Sequence, residues 1–274
     1  MKMKNIFKYR LTYIIIGWLL ILWTAATDMG LTVPRYEIVT DKVDSPVRIV
    51  LLTDFHSSGY GKDQQVLTDV IKKQQPDIIL MVGDIADDVR PHKNTEELIA
   101  QLGDEYPCFY VTGNHEEWSG EVDKIKDMFR AGGIAVMEGD SEILTLNGQK
   151  IRVSGVDNTQ TYEQITACFE NTGDDIFTVF MAHRPDRGAE MYSHKGFDLV
   201  VCGHAHGGQV IIPHILNGLY APDQGIFPKY AGGRYTLDDG STEMIVSRGL
   251  CKNILPRVFN PPEVVVIDIV GEYT

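Results

Sequence analysis

Cysteine is scarce in this 274-residue chain: there are four, Cys108, Cys168, Cys202 and Cys251, far apart and with no C-x-x-C pair. That spacing argues against a disulfide framework and a thiolate metal centre, and the apolar runs around Cys108 and Cys202 favour buried free thiols. Basic residues are also in short supply, 25 Lys and Arg against 38 Asp and Glu, for a net charge of −13. Lys2, Lys4, Lys8 and Arg10 stand in the first ten residues, so the remainder carries −17. Such a body repels phosphate backbones, which argues against a nucleic-acid partner and suits a protein that gathers divalent cations. There is no internal repeat and no Pro-, Gly- or Ser-rich linker to divide the chain. Arg10 has no arginine neighbour, so no twin-arginine signal is present.

Long apolar runs are nearly absent too. Leu11 to Ala26 is the exception, 16 residues without a charge behind the basic cluster. At 1.5 Å per residue it spans roughly 24 Å, short of a ~30 Å hydrocarbon core. Lys8 and Arg10 can snorkel, and Trp18 and Trp23 suit an interface. Residues 1–27 are therefore expected to form a membrane anchor or signal segment. An uncleaved single-pass anchor would leave the basic end in the cytoplasm and the rest outside. The rival is a secreted protein cleaved near Ala26, at Thr24-Ala25-Ala26. Residues 28–45 read as a polar connector, and 46–274 as one domain.

Within that domain, strand and helix patterns alternate. Val47–Thr53, Ile78–Val82, Cys108–Thr112, Ile176–Ala182 and Phe197–Cys202 are apolar runs of the type buried on both faces. Helices are expected over Gln64–Gln75 (Val66, Val70 and Ile71 inward, Pro76 as stop), Asn94–Leu102 (capping box Asn94/Glu97) and Ser119–Arg130 (Ser119 as cap). Ile143–Leu146 and Lys150–Val156 read as a hairpin about Asn147-Gly148. Further strands are expected at Gln209–Ile212, Arg234–Leu237, Met244–Ser247 and Glu263–Ile269.

The five buried-type runs end alike. Asp54 and His56 follow the first, Asp84 the second, Asn114 the third, His183 the fourth, and His204 and His206 the fifth. Open α/β sheets place ligands at the carboxyl ends of their strands. Imidazole, carboxylate and amide oxygen together suit borderline cations such as Mn²⁺, Fe²⁺ or Zn²⁺, not calcium or an all-thiolate zinc site. Asp84 has two oxygens and can bridge two ions. His92, His194 and His214 follow no such pattern and read as surface or packing residues.

These blocks resemble the calcineurin-like metallophosphoesterase superfamily: Asp54-Phe55-His56, Gly83-Asp84-Ile85-Ala86-Asp87, Gly113-Asn114-His115-Glu116, His183 and Gly203-His204-Ala205-His206. The segments G-H-A-H-G-G-Q (203–209), G-I-F-P-K-Y (225–230), S-R-G-L (247–250) and N-P-P-E (260–263) resemble a narrower group, its bacterial membrane-anchored phosphodiesterases. The resemblance implies a four-layer α/β/β/α sandwich, two mixed sheets flanked by helices, behind the hydrophobic anchor helix. It implies one metal on Asp54, His56, Asp84 and His206, and a second on Asp84, Asn114, His183 and His204. His115 resembles the group that protonates the leaving oxygen, a task suited to imidazole. Asp87 is expected to orient a ligand or His115. Arg248 and Asn253 are candidate phosphate contacts from residue type alone. The expected function is a dinuclear phosphodiesterase acting on cell-envelope or lipid-linked phosphoesters. The alternatives are a nucleotide phosphodiesterase or phosphatase, and a non-catalytic membrane-tethered protein that binds metal and phosphate.

Overall fold

The computed structural model describes residues 2–27, 29–159, 162–169, 172, 175–252 and 257–272. Its architecture follows from the apolar runs, which have no polar face and must be covered on both sides. Strands β1 (Arg35–Thr40), β2 (Val47–Leu52), β3 (Ile78–Val82), β4 (Cys108–Val111) and β5 (Ala135–Val136) build one sheet with the last strand, β14 (Val265–Gly271), in the order β1-β14-β2-β3-β4-β5. β2 to β5 run parallel, and β14 lies between β2 and β1, antiparallel to β2 and parallel to β1. The second sheet has the order β12-β13-β9-β8-β7-β6. It comprises β6 (Asp140–Leu146), β7 (Gln149–Gly155), β8 (Phe177–Met181), β9 (Leu199–Cys202), β12 (Gly233–Thr236) and β13 (Glu243–Val246). A short hairpin, β10 (Tyr220–Ala221) with β11 (Gly225–Ile226), stands apart.

Alternate side chains of the buried strands feed two cores. Ile49, Leu51, Leu80 and Val82 meet Val153, Val179 and Val201 between the sheets. Val50, Leu52, Ile79 and Met81 face the other way, onto helices α2 (Gln65–Lys73), α3 (Lys93–Leu102) and α5 (Val122–Ala131). On the far side of the second sheet, Phe180, Val200 and Met244 pack with Ile165 and Cys168 of α6 (Tyr162–Phe169). The result is a mixed α/β two-sheet fold with helices outside both sheets. All four cysteines are buried and free.

Several local expectations need correcting. The stretch 28–45 contains β1, an edge strand joined to β14 by backbone pairing, so its side-chain pattern carries little signal. On α2 the inward residues are Leu67, Thr68 and Ile71, while Val66 is exposed. Asn94 does not cap α3: its amide donates to the Ser57 carbonyl at 2.8 Å. Ser119 ends a short helix, α4 (Asn114–Trp118), and α5 begins only at Val122. Gln209–Ile212 has only isolated bridges, because Val210 pairs singly with Val258. The hairpin about Asn147-Gly148 forms with both residues at positive φ, as a tight two-residue turn requires.

Residues Lys2–Ala26 form a 25-residue helix, α1, with Tyr13, Trp18, Leu20 and Trp23 exposed. Among the described residues, however, no helix is long and apolar enough to cross a membrane, so the expected transmembrane anchor is not supported. The physical reason is length: four basic residues fall in its first ten, leaving the 16-residue apolar run too short.

Candidate metal centre

Both sheets deliver their strand ends to one place. From the first come Asp54 and His56 after β2, Asp84 after β3, and Asn114 at the start of α4. From the second come His183 after β8, and His204 and His206 after β9. All seven are buried. Asp54, His56, Asp84, His204 and His206 have φ between 47° and 66°, the left-handed region that non-glycine residues avoid. Each such residue costs on the order of 1–3 kcal/mol, and a cluster of them marks a site whose surroundings enforce the geometry. Cross-bonds beyond the strands do the enforcing: Asp54 N–H donates to Gly83 O (3.0 Å), His56 N–H to Asp84 O (2.9 Å), and Gly203 N–H to His183 O (3.0 Å).

Two motif glycines are needed for contact. A Cβ on Gly83, where φ is +73°, would lie 2.2 Å from His183 Nδ1; one on Gly113 would lie 2.2 Å from Asp84 Oδ1. Glu116 then ties the loops together. Its Oε2 accepts from Asp84 N–H and Gly113 N–H, and its Oε1 from Ile85 N–H and Ala86 N–H, all between 2.7 and 2.9 Å. Sequence reasoning gave Glu116 no role, although it closes the G-N-H-E block.

The donor atoms converge. Asp54, His56, Asp84 and His206 bring one ligand atom each to within 4.8 Å of one another, and so do Asp84, His183 and His204. Asp84 belongs to both groups. Its Oδ1 accepts the His115 backbone N–H at 2.8 Å, while Oδ2 lies 3.2 Å from His183 Nε2 and 3.7 Å from His56 Nε2. Yet Asp84 Oδ2, His56 Nε2, His183 Nε2, His206 Nδ1 and Asn114 Oδ1 make no hydrogen bond, although all are buried. Buried polar atoms are normally satisfied. Three of these atoms, His56 Nε2, His183 Nε2 and Asp84 Oδ2, meet at the Asp84 carboxylate, as cation ligands do, so the residues fit a metal cluster.

Outer partners fix the rings. His183 Nδ1–H donates to Val82 O at 3.0 Å, which turns Nε2 inward. Asp87 Oδ2 lies 3.2 Å from His56 Nδ1, so Asp87 orients that imidazole and not His115. Asp88 Oδ1, 2.7 Å from Nδ1, holds His115, whose ring meets His56 edge-on at 4.4 Å between centroids. His204 Nε2 lies 2.8 Å from Asp223 Oδ2, and Arg184 Nη2 lies 3.1 Å from the same oxygen. Asp88, Asp223 and Arg184 escaped the sequence reading. The doubled acid at 87–88 was a legible signal, whereas Asp223 reaches the site only through the β10–β11 turn.

Charge follows this arrangement. Burial alone would raise the Asp84 carboxyl, but the His183, His56 and His115 imidazoles hold it well below its usual range. Burial would likewise lower His183, but the adjoining Asp84 carboxylate raises it to about 9. His206, by contrast, is driven down to about 3 by burial.

Arg248 does not join the cluster. Its side chain lines a separate cavity, and its N–H donates to Glu263. Asn253 lies outside the described residues. Of the unmatched histidines, His92 packs against the Asp87 carbonyl, and His214 lines the cavity beside Arg248.

Two facing sheets with His, Asp and Asn at their strand ends define a metal-dependent phosphoester-hydrolase class. The chain belongs to the calcineurin-like phosphoesterase family, whose family model matches residues 47–208. It is 28% identical over 233 residues to an uncharacterized metallophosphoesterase, YkuE, of Bacillus subtilis, covering 81% of this chain and 78% of that protein. It is 24% identical over 235 residues to phosphodiesterase YaeI of Escherichia coli, covering 82% and 83%. Among solved structures, NAD nucleotidase of Haemophilus influenzae shares the fold with a TM-score of 0.53 at 14% identity. That match covers 75% of this chain and 46% of the other, so the chain spans about half that protein's length.

Proposed function

We propose that this chain is a dinuclear metal-dependent phosphodiesterase acting on cell-envelope or lipid-linked phosphoesters. The observation that carries the reading is the gathering of buried donors from Asp54, His56 and His206 and from His183 and His204 about the shared Asp84 carboxylate, with Asp84 Oδ2, His56 Nε2 and His183 Nε2 left without hydrogen bonds. In this reading Asp54, His56, Asp84 and His206 hold one ion, and Asp84, Asn114, His183 and His204 the other, both drawn from Mn²⁺, Fe²⁺ or Zn²⁺. When bound, such a pair supplies a nucleophilic hydroxide near neutral pH and neutralises phosphate charge. His183 and His56 present Nε2 because Val82 O and Asp87 occupy their other nitrogens. His115 stands beside the cluster with Nδ1 held by Asp88, which leaves Nε2 as the proton donor to a leaving alkoxide. Diester in preference to monoester hydrolysis draws support from the phosphodiesterase named among the relatives.

The test is hydrolysis of generic aryl phosphodiesters and monoesters by the full chain, with metal analysis of the same preparation. About two transition-metal ions per chain are expected, and Asp84→Asn should lose both occupancy and turnover. Full metal content in that variant would remove Asp84 as the bridge.

For localisation, we propose that the catalytic domain lies on the extracytoplasmic side, with residues 1–27 acting as its export segment; residues 11–26 by themselves are too short to count as a span. The basic flank and the exposed apolar side chains of α1 support this. Protease added to wall-stripped cells should then digest the chain beyond residue 30. Protection would place the domain inside and shift the substrate towards cytosolic phosphoesters.

A further inference from the structure

Beside the metal cluster lies a cavity of about 490 Å³ that the mechanism leaves unused. Ile211, Ile215, Leu216 and Phe259 form its apolar walls, and Arg248 is its charged group. Its size falls in the range of small-molecule sites, which are mostly apolar with a few placed polar groups. The Arg248 guanidinium is half-buried, and among the described residues it has no hydrogen bond and no carboxylate within salt-bridge distance. Glu263 engages the Arg248 backbone N–H instead, at 2.8 Å. The side-chain stem lies over Gly232, where an added Cβ would come within 2.7 Å of Arg248 Cγ. The cation is thus positioned with no direct hydrogen-bond or salt-bridge partner among the described residues, although its charge is felt by the buried Glu263 carboxylate.

Charge in the surrounding sequence points the same way. In a chain of net charge −13, residues 203–237 contain one acid, Asp223, and that acid is taken by His204 and Arg184. The same loops expose large apolar side chains: Ile215 is 82% exposed, Ile226 69% and Phe227 68%. The cavity also adjoins the catalytic loops. A Cβ on Gly249, next to Arg248, would lie 2.6 Å from the Cβ of Asp54, and Asn260, next to Phe259, donates to His206 O at 2.8 Å.

We propose that this cavity binds an amphiphilic anion, its charged head on Arg248 and its hydrocarbon along Ile211, Ile215, Leu216 and Phe259. It gives the substrate a second handle, apart from the phosphoester at the metals. That role rests on the function proposed above; the binding itself does not, and it is measured without turnover.

The experiment is isothermal titration of the full chain with octyl sulfonate, in excess inorganic phosphate to cover the catalytic centre, with octyl glucoside as the neutral-headed comparison. Octyl sulfonate should still bind. Arg248→Ala should weaken it by about tenfold to a hundredfold, the scale of one charge-assisted contact, and Arg248→Lys should retain most of the affinity. Octyl glucoside should bind the parent and Arg248→Ala alike. Ile215→Asp, at an exposed position that leaves the core intact, should weaken both ligands. Displacement of octyl sulfonate by inorganic phosphate would place its head at the metals and overturn the proposal. Unchanged affinity in Arg248→Ala or in Ile215→Asp would overturn it as well. If binding behaves as expected and no phosphoester is cleaved, the proposed function fails while this site stands.

Discussion

Replacing Glu116 by Gln is the most demanding test of how the centre is held. The native carboxylate receives four backbone N–H groups, two on each oxygen. Burial and the nearby Asp84 carboxylate raise its proton affinity, while the N–H donors from Gly113 and Ala86 favour the ionised form. A glutamine has one acceptor oxygen and an NH₂ that can only donate. It can satisfy one pair of N–H groups and must face the other pair donor to donor. Two buried donors left unpaired cost ~1–3 kcal/mol each, so the loss should be ~2–6 kcal/mol. Against a total stability of about 5–15 kcal/mol, that is a large fraction. For a domain of this size the melting temperature should fall by roughly 5–20 °C. Thermal unfolding of the full chain measures it, with Glu121→Gln as the control: Glu121 only pairs with Lys124 at the surface and should cost at most ~0.5 kcal/mol. Metal content should fall in parallel, because Asp84 N–H and Gly113 N–H lose their shared anchor. If Glu116→Gln melts within about 2 °C of the parent and keeps its metal, the four-bond account of this residue is wrong.

The remaining expectations concern the proton donor. His115→Ala should keep its fold and metal content while turnover falls by something like 10²–10⁴-fold. Esters with a sugar or glycerol leaving group should suffer most, because an alkoxide needs the proton, while nitrophenyl esters should suffer least. Asp88→Asn should show the same leaving-group dependence in milder form, whereas His204→Ala should hurt both ester classes alike. Identical metal loss and identical leaving-group profiles in His115→Ala and His204→Ala would strip His115 of its role.

The legible parts of this protein were those where local pattern and global role coincide. The runs before Asp54, Asp84, Asn114, His183 and His204 are apolar because both faces are covered, and a polar residue just beyond each run stands out. Pairings made by backbone alone left little trace, which is why β1 read as a connector. Partners that arrive from distant loops were equally silent: nothing in the sequence ties Asp223 to His204, or Glu116 to the amides of residues 84–86. Arg248 shows how little residue type says about place: its stem lies over Gly232 and its side chain lines a cavity with Ile211 and Phe259.

The position of β14 has a consequence for how the molecule is made. This last strand does not sit at an edge; it lies between β1 and β2, pairing with both. Until residues 265–271 leave the ribosome, the sheet that carries Asp54 and Asp84 has a gap, and β1 has no neighbour. Contacts so distant along the chain form late and slowly. A chain that lacks these residues therefore presents β2, the strand that leads to Asp54, as an unfinished sheet edge. Loss of β14 would reach the centre through β2, from a part of the sequence far from Asp54.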